Sequence, residues 1–167
     1  MGTGKTAAGK RLSQLLGYGY LDTDDLIEKT EGKSISDIFA QSGEEHFRNI
    51  ESRVLGTLSQ YQNLIISTGG GIVLREENVN KLKSLGVIVL LNADPDAIID
   101  RLKNDDSRPL LKEGDRRKKI GEILEKRNPI YEAAADIEID TTSISADEVA
   151  RQIIKEVEIY AKNWNAF

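Results

Sequence analysis

The chain of 167 residues has no cysteine, one histidine and one methionine. Without cysteine, disulfides and thiolate metal sites are excluded; a reducing compartment is allowed but not demanded. No apolar run approaches the roughly 18 residues that a membrane span needs. The first residues lack the apolar stretch of a secretory signal. Positive charge is in deficit, with 23 Lys and Arg against 28 Asp and Glu and a net charge of −5. That balance argues against generic binding to nucleic acid or to a membrane surface, both of which favour a basic patch. The one histidine, His46, falls in a helix-patterned segment and carries no catalytic assignment. Internal repeats and low-complexity linkers are absent, and the length suits a single domain, 1–167, with a core of its own.

What is present begins at the first residue. Met1-Gly2-Thr3-Gly4-Lys5-Thr6 reads as the second half of a phosphate-binding P-loop, G-x-x-x-x-G-K-[ST], with Gly4, Lys5 and Thr6 in its last three places. A glycine-rich turn lets backbone N–H groups converge on phosphate oxygens, and the following helix adds favourable partial charge at its N-terminus. Lys5 is placed to reach the β- and γ-phosphates of ATP and the Thr6 hydroxyl to ligate Mg²⁺. Taken alone, the half motif is equally a flexible start that happens to contain Gly-Lys-Thr. The first glycine of the motif and the strand that feeds it would stand ahead of Met1.

Downstream, apolar runs and helical periods alternate. Residues 7–16 suit a helix stopped by Gly17. Tyr18-Gly19-Tyr20-Leu21 leads into Asp22-Thr23-Asp24-Asp25. Carboxylates at the end of a short strand suit a magnesium and substrate site, and at least one must also cap the helix that starts near Leu26. Helices follow over about 35–41 and 44–61, with Phe47, Ile50, Val54, Leu55 and Leu58 forming a stripe. Arg48 and Glu51 share a face beside that stripe, and a solvated ion pair is the ordinary account of such spacing. Asn63-Leu64-Ile65-Ile66-Ser67-Thr68 is an apolar strand running into Gly69-Gly70-Gly71, where three glycines favour a close approach by a ligand over a simple turn. A helix over 76–85, a doubly covered strand at 87–91 and a helix from Pro95 to about Lys103 come next. The polar stretch 104–115, with Arg108-Pro109-Leu110-Leu111, is a candidate lid, or else a plain exposed loop. Residues 116–135 are helical with a break expected near Pro129, 136–141 form the last strand, and 146–161 form a closing amphipathic helix. Strands alternating with helices predict an α/β fold with a parallel sheet.

These segments, in their order and spacing, resemble shikimate kinase. The residues that carry the likeness are Gly2-Thr3-Gly4-Lys5-Thr6, Asp22-Thr23-Asp24, the segment from Gly43-Glu44-Glu45-His46-Phe47-Arg48 to Glu51, Thr68-Gly69-Gly70-Gly71, Arg108-Pro109-Leu110-Leu111, and Arg127 ahead of Pro129-Ile130-Tyr131. The resemblance implies a P-loop, three-layer α/β/α domain of the nucleoside-monophosphate-kinase type. Its five-stranded parallel sheet runs in the order 2-3-1-4-5, with the first strand missing from these residues. Substrate-binding helices would occupy about 25–61 and the lid about 104–115. With its central strand absent, the chain as written is expected to expose two strand edges, to be less stable and to be poorly active.

The same resemblance implies roles. Gly2, Gly4, Lys5 and Thr6 would hold ATP, Thr6 and Asp22 the Mg²⁺, and Arg101 would flank the adenine. Residues 141–146 occupy the place of the family's adenine loop. Asp24 would hold the shikimate hydroxyls and orient or deprotonate the attacking one. Arg48 and Arg127 would clamp the carboxylate, Gly69, Gly70 and Gly71 would supply backbone contacts, and Glu51 would hold the neighbouring arginine. Lys5 and Arg108 would stabilise the transferring phosphate. The implied activity is ATP-dependent phosphorylation of shikimate at its 3-hydroxyl, in a cytoplasmic monomer without nucleic-acid or membrane partners; a plastid copy also fits. Two alternatives stay open: a gluconate-type small-molecule kinase, and a truncated or non-catalytic relative.

Overall fold

The computed structural model describes residues 2–102 and 116–164. The first helix, α1 (Lys5–Leu16), ends on Gly17 in the left-handed conformation, where glycine avoids the Cβ clash. It leads to β1 (Gly19–Asp22) and α2 (Thr23–Glu31), whose N-cap is Asp22: its carboxylate accepts from the Asp24 N–H. Next comes α3 (Ile35–Thr57), capped by Ser34 and interrupted at Gly43, where φ 79° and ψ 175° separate two helical pieces. A short 3₁₀ turn, β2 (Leu64–Ser67) and a second 3₁₀ turn, Ile72–Leu74, lead to α4 (Glu76–Leu85). The chain continues through β3 (Val89–Asn92) and α5 (Pro95–Arg101), with Asp94 as N-cap and Pro95 in the first turn. The last elements are α6 (Arg116–Ala134), β4 (Ile137–Asp140) and α7 (Ala146–Trp164).

The strands form two parallel pairs. Gly19 to Asp22 register with Leu64 to Ser67, and Val89 to Asn92 with Ile137 to Asp140. Among the described residues no strand joins β2 to β3. Instead, β2 and β3 line a common cavity of about 500 Å³. Its apolar walls include Leu12, Ile153 and Val157 from α1 and α7, and Val73, Leu82 and Leu85 from the opposite side. Among the described residues the parallel strands thus form two pairs, with no strand seen between them.

The β1-β2 pair is covered on both faces, as parallel strands favour, whereas β4 at the end of the other pair leaves Glu138 and Asp140 exposed. Alternate residues go to opposite cores: Ile65, Val89 and Leu91 pack with Ala8, Leu12, Val149 and Ile153, while Leu21, Ile66 and Ile88 pack with Leu55, Leu58, Ile72 and Leu82. A third cluster joins α2 to α3 through Ile27, Ile38, Phe47 and Ile50, and a fourth joins α5 to α6 through Ile98, Leu102 and Ile120. Pro129 does not break α6, which runs through it as one helix. Proline removes one helical hydrogen bond, but Pro129 and Glu125, four residues before it, are exposed, so water can satisfy the freed carbonyl. No described helix is long and apolar enough to cross a membrane.

Candidate active site

The chemistry-bearing residues collect where the strands end. The turn after β2 meets the helices α2 and α3. Asp24 stands in the first turn of α2, fixed there because its own N–H is bonded to Asp22 (3.0 Å). Thr23, fully buried, uses its hydroxyl to accept from the Gly69 N–H at 3.2 Å. That bond ties the glycine turn to α2. A Cβ on Gly69 would lie 2.6 Å from Asp24 Oδ1 and 3.3 Å from Glu51 Oε1. One on Gly71 would overlap the Arg48 guanidinium, and one on Gly70 would lie 3.1 Å from the Tyr131 hydroxyl. A side chain at any of the three glycines would thus crowd Asp24, Arg48 or Tyr131.

Arg48 and Glu51 are not a solvated pair. Arg48 is 8% exposed and Glu51 1%. Arg48 Nη1 donates to Glu51 Oε2 at 2.6 Å, and Nη2 donates to Glu44 Oε1 at 2.7 Å. The helical spacing put both residues on one face; the glycine turn of a distant segment covers that face. Burial works against the Arg48 charge, but the hydrogen bonds and charges of Glu51 and Glu44 outweigh it and hold the pKa above its ordinary value. Burial raises the Glu51 pKa, with Arg48 opposing and the Asp24 carboxylate adding to the rise. Glu51 Oε1 has no hydrogen-bond partner among the described residues. A buried cation thus presents its planar group to the turn, beside Asp24 and an unused acceptor oxygen.

At the other end, Gly2 and Gly4 flank Thr3 with φ of 65° and 84°, a conformation open chiefly to glycine. Gly4 is the N-cap of α1 and Lys5 its first residue. Lys5 lines a cavity of about 450 Å³ with Thr3, Thr68, Gly69, Gly70, Asn128 and Tyr131. The Tyr20 hydroxyl donates to Asp22 Oδ2 at 3.3 Å and also interacts with Ser67 and Thr6. Burial, ahead of the Asp22 charge, raises its pKa despite the hydroxyl partners. This gathers the Thr6 hydroxyl and the Asp22 carboxylate. Among the described residues there is no cluster of three or more His, Cys, Asp or Glu. One carboxylate with one hydroxyl is a sparse, all-oxygen set that fits Mg²⁺ completed by phosphate and water.

Arg101 and Arg127 lie in different settings. Arg101 donates to the Thr141 carbonyl (2.6 Å), the Thr142 carbonyl (3.2 Å), Thr141 Oγ1 (3.2 Å) and the Gly2 carbonyl (3.4 Å). It binds the loop after β4 to the glycine-rich turn. Arg127 lies half-buried on α6, and Gly121, Leu124, Glu125, Asn128, Tyr131 and Ala134 of the same helix line the cavity. Arg108 and the candidate lid lie outside the described residues. Tyr20, missed as a site residue, had a legible signal: in a strand it shares a face with Asp22. Thr141 had none beyond its place after the last strand.

A family model described as shikimate kinase matches residues 1–158. The shikimate kinase of Thermodesulfovibrio yellowstonii is 46% identical over 158 residues, covering 95% of this chain and 91% of that protein. That of Pelotomaculum thermopropionicum is 46% identical over 154 residues, covering 92% and 89%. Among solved structures, shikimate kinase from Acinetobacter baumannii in complex with shikimate superposes with a TM-score of 0.90 at 35% identity, covering 94% of this chain and 88% of that one.

Proposed function

The chain belongs to the shikimate kinase family, which places it among the phosphotransferases, and we propose that it transfers the γ-phosphoryl group of ATP to the 3-hydroxyl of shikimate. The products are shikimate 3-phosphate and ADP, a step on the route to chorismate and the aromatic amino acids. The observation that carries this reading is the buried Arg48, held by Glu51 and Glu44 over the glycine turn beside Asp24. A planar, desolvated guanidinium suits a carboxylate, and an adjacent carboxylate suits the hydroxyls of the same molecule.

Asp24 orients the attacking hydroxyl and accepts its proton as the oxygen bonds to the γ-phosphorus and the bond to the ADP oxygen breaks. Glu51 keeps the guanidinium in place, and Arg127 adds a second contact to the carboxylate. The Gly2–Gly4 turn and Lys5 hold the phosphates, with Arg108 acting on the transferring group. Thr6 and Asp22 would hold Mg²⁺, whose chemistry is to neutralise phosphate charge. Such transfer is mostly positioning and charge stabilisation. The enzyme acts as a cytoplasmic monomer on this reading.

The sheet order follows from the same reading: β1-β2, a further parallel strand, then β3-β4. The unpaired edges beside the 500 Å³ apolar cavity support it, because buried edges need partners. A chain extended at its start by an apolar strand and a glycine should melt higher than residues 1–167 alone. The function is tested by a substrate panel with coupled ADP detection. Turnover of shikimate supports it; turnover of gluconate and not shikimate, or of neither by the extended chain, rejects it.

A further inference from the structure

Thr141, just past β4, is 2% exposed. Its hydroxyl lies 3.0 Å from the Thr3 carbonyl and 2.9 Å from the Asn92 carbonyl, and it accepts from Arg101 Nη1 at 3.2 Å. A hydroxyl has one hydrogen to give. The Asn92 carbonyl already accepts from the Thr141 N–H at 2.8 Å, so the proton is needed at Thr3. Thr3 is itself buried, and its carbonyl takes no other hydrogen bond among the described residues.

The consequence lies on the other side of the peptide plane. In a trans peptide the C=O and the next N–H point in opposite directions. Fixing the Thr3 carbonyl inward on Thr141 turns the Gly4 N–H outward. Fixing the Gly2 carbonyl on Arg101 (3.4 Å) does the same for the Thr3 N–H. The positive φ of Gly2 and Gly4 brings these consecutive N–H groups into one concave turn, the arrangement that receives anionic oxygens. Neighbouring bonds brace the anchor: Thr142 donates through N and Oγ1 to Asp140 at 2.8 and 2.5 Å, and the Asp94 N–H donates to Thr142 Oγ1 at 2.9 Å.

We propose that Thr141 is a positioning residue for the nucleotide: its hydroxyl, by holding the Thr3 carbonyl, aims the backbone N–H groups of the glycine-rich turn at the phosphates. This rests on the reading of that turn as the ATP site. The test measures ADP and shikimate dissociation constants by calorimetry on the full chain and on two variants. Thr141→Val keeps the shape and loses the hydroxyl; ADP affinity should fall about tenfold, the equivalent of one lost hydrogen bond, with shikimate affinity unchanged. Thr141→Ser keeps the hydroxyl and should bind ADP within about twofold of the unsubstituted chain. Normal ADP affinity in Thr141→Val, or equal losses for both ligands, overturns the proposal. If Thr141→Val does not fold, Thr141→Ser decides alone: retained ADP affinity supports the role of the hydroxyl, and a tenfold loss rejects it. An unsubstituted chain that binds shikimate but no ADP would remove the nucleotide reading, and this proposal with it.

Discussion

The acceptor end and the nucleotide end of this molecule are built by opposite means. The acceptor end is assembled from neighbours: Glu44, Arg48 and Glu51 are one helical turn apart, and the turn after β2 closes over them. The nucleotide end is assembled from strangers: Thr3 meets Thr141 across 138 residues, and Arg101 meets Thr141 across 40. The first is a buried, charged and sterically tight pocket; the second is a hydrogen-bonded knot beside an open apolar cavity. The difference teaches that the Arg48 cluster is held mostly within one helix, while the Gly2–Gly4 turn leans on residues far along the chain. Each end should therefore fail separately when struck.

Asp24→Asn is the sharpest blow at the acceptor end. It removes the base and should cut turnover about a thousandfold while ADP affinity stays the same; near-normal turnover would remove Asp24 from the mechanism. Glu51→Ala removes one of the two carboxylates paired with the buried Arg48 guanidinium and should cost about 3 kcal/mol of stability, read by urea denaturation.

The pH dependence gives that effect a sign. Burial raises the Glu51 pKa above its ordinary value, so the folded state binds this proton more tightly than the unfolded state. The stability from that difference is full below the unfolded value and is lost as pH rises through the folded one. Glu51→Gln, which cannot ionise, should therefore close its deficit against the unsubstituted chain as pH rises from about 4 to 8. A deficit that widens over that range would contradict the burial effect.

Gly71→Ala should reduce kcat/KM for shikimate about a hundredfold, because the guanidinium must shift to admit a methyl group; an unchanged value would mean that Arg48 does not touch the substrate. Arg127→Ala is the mildest. Loss of one carboxylate contact should raise the shikimate KM about tenfold with the ATP constant unmoved. If both constants moved together, the two ends would not be separable and the comparison would break.

Much of this was readable beforehand, for physical reasons. Gly17 and Gly43 end or interrupt helices where the sequence places breaks, because few residues substitute for glycine at their positive φ. The apolar runs at Leu64 and Val89 are strands because both faces are covered. The triple glycine reads as a close approach by a ligand, whereas the groups that crowd it in the structure are the chain's own Asp24, Arg48 and Tyr131. Helical spacing paired Arg48 with Glu51 but could not reveal their burial, since the cover comes from another segment. Pro129 was read as a break from its missing N–H alone, without the solvent that makes it tolerable. The Thr141 and Arg101 contacts were unreadable because no local pattern encodes a bond between one end of a chain and the other.

That last bond also orders events during synthesis. A ribosome adding roughly 5–20 residues per second needs about 7–28 s to pass from Thr3 to the partner of its carbonyl, which lies 138 residues later. Arg48, Glu51 and Gly71 are all present long before then. The nascent chain therefore holds every residue of the Arg48 cluster while the Thr3 carbonyl still waits for its partner. Synthesis from the N-terminus thus completes the set of residues around Arg48 before the set around Thr3.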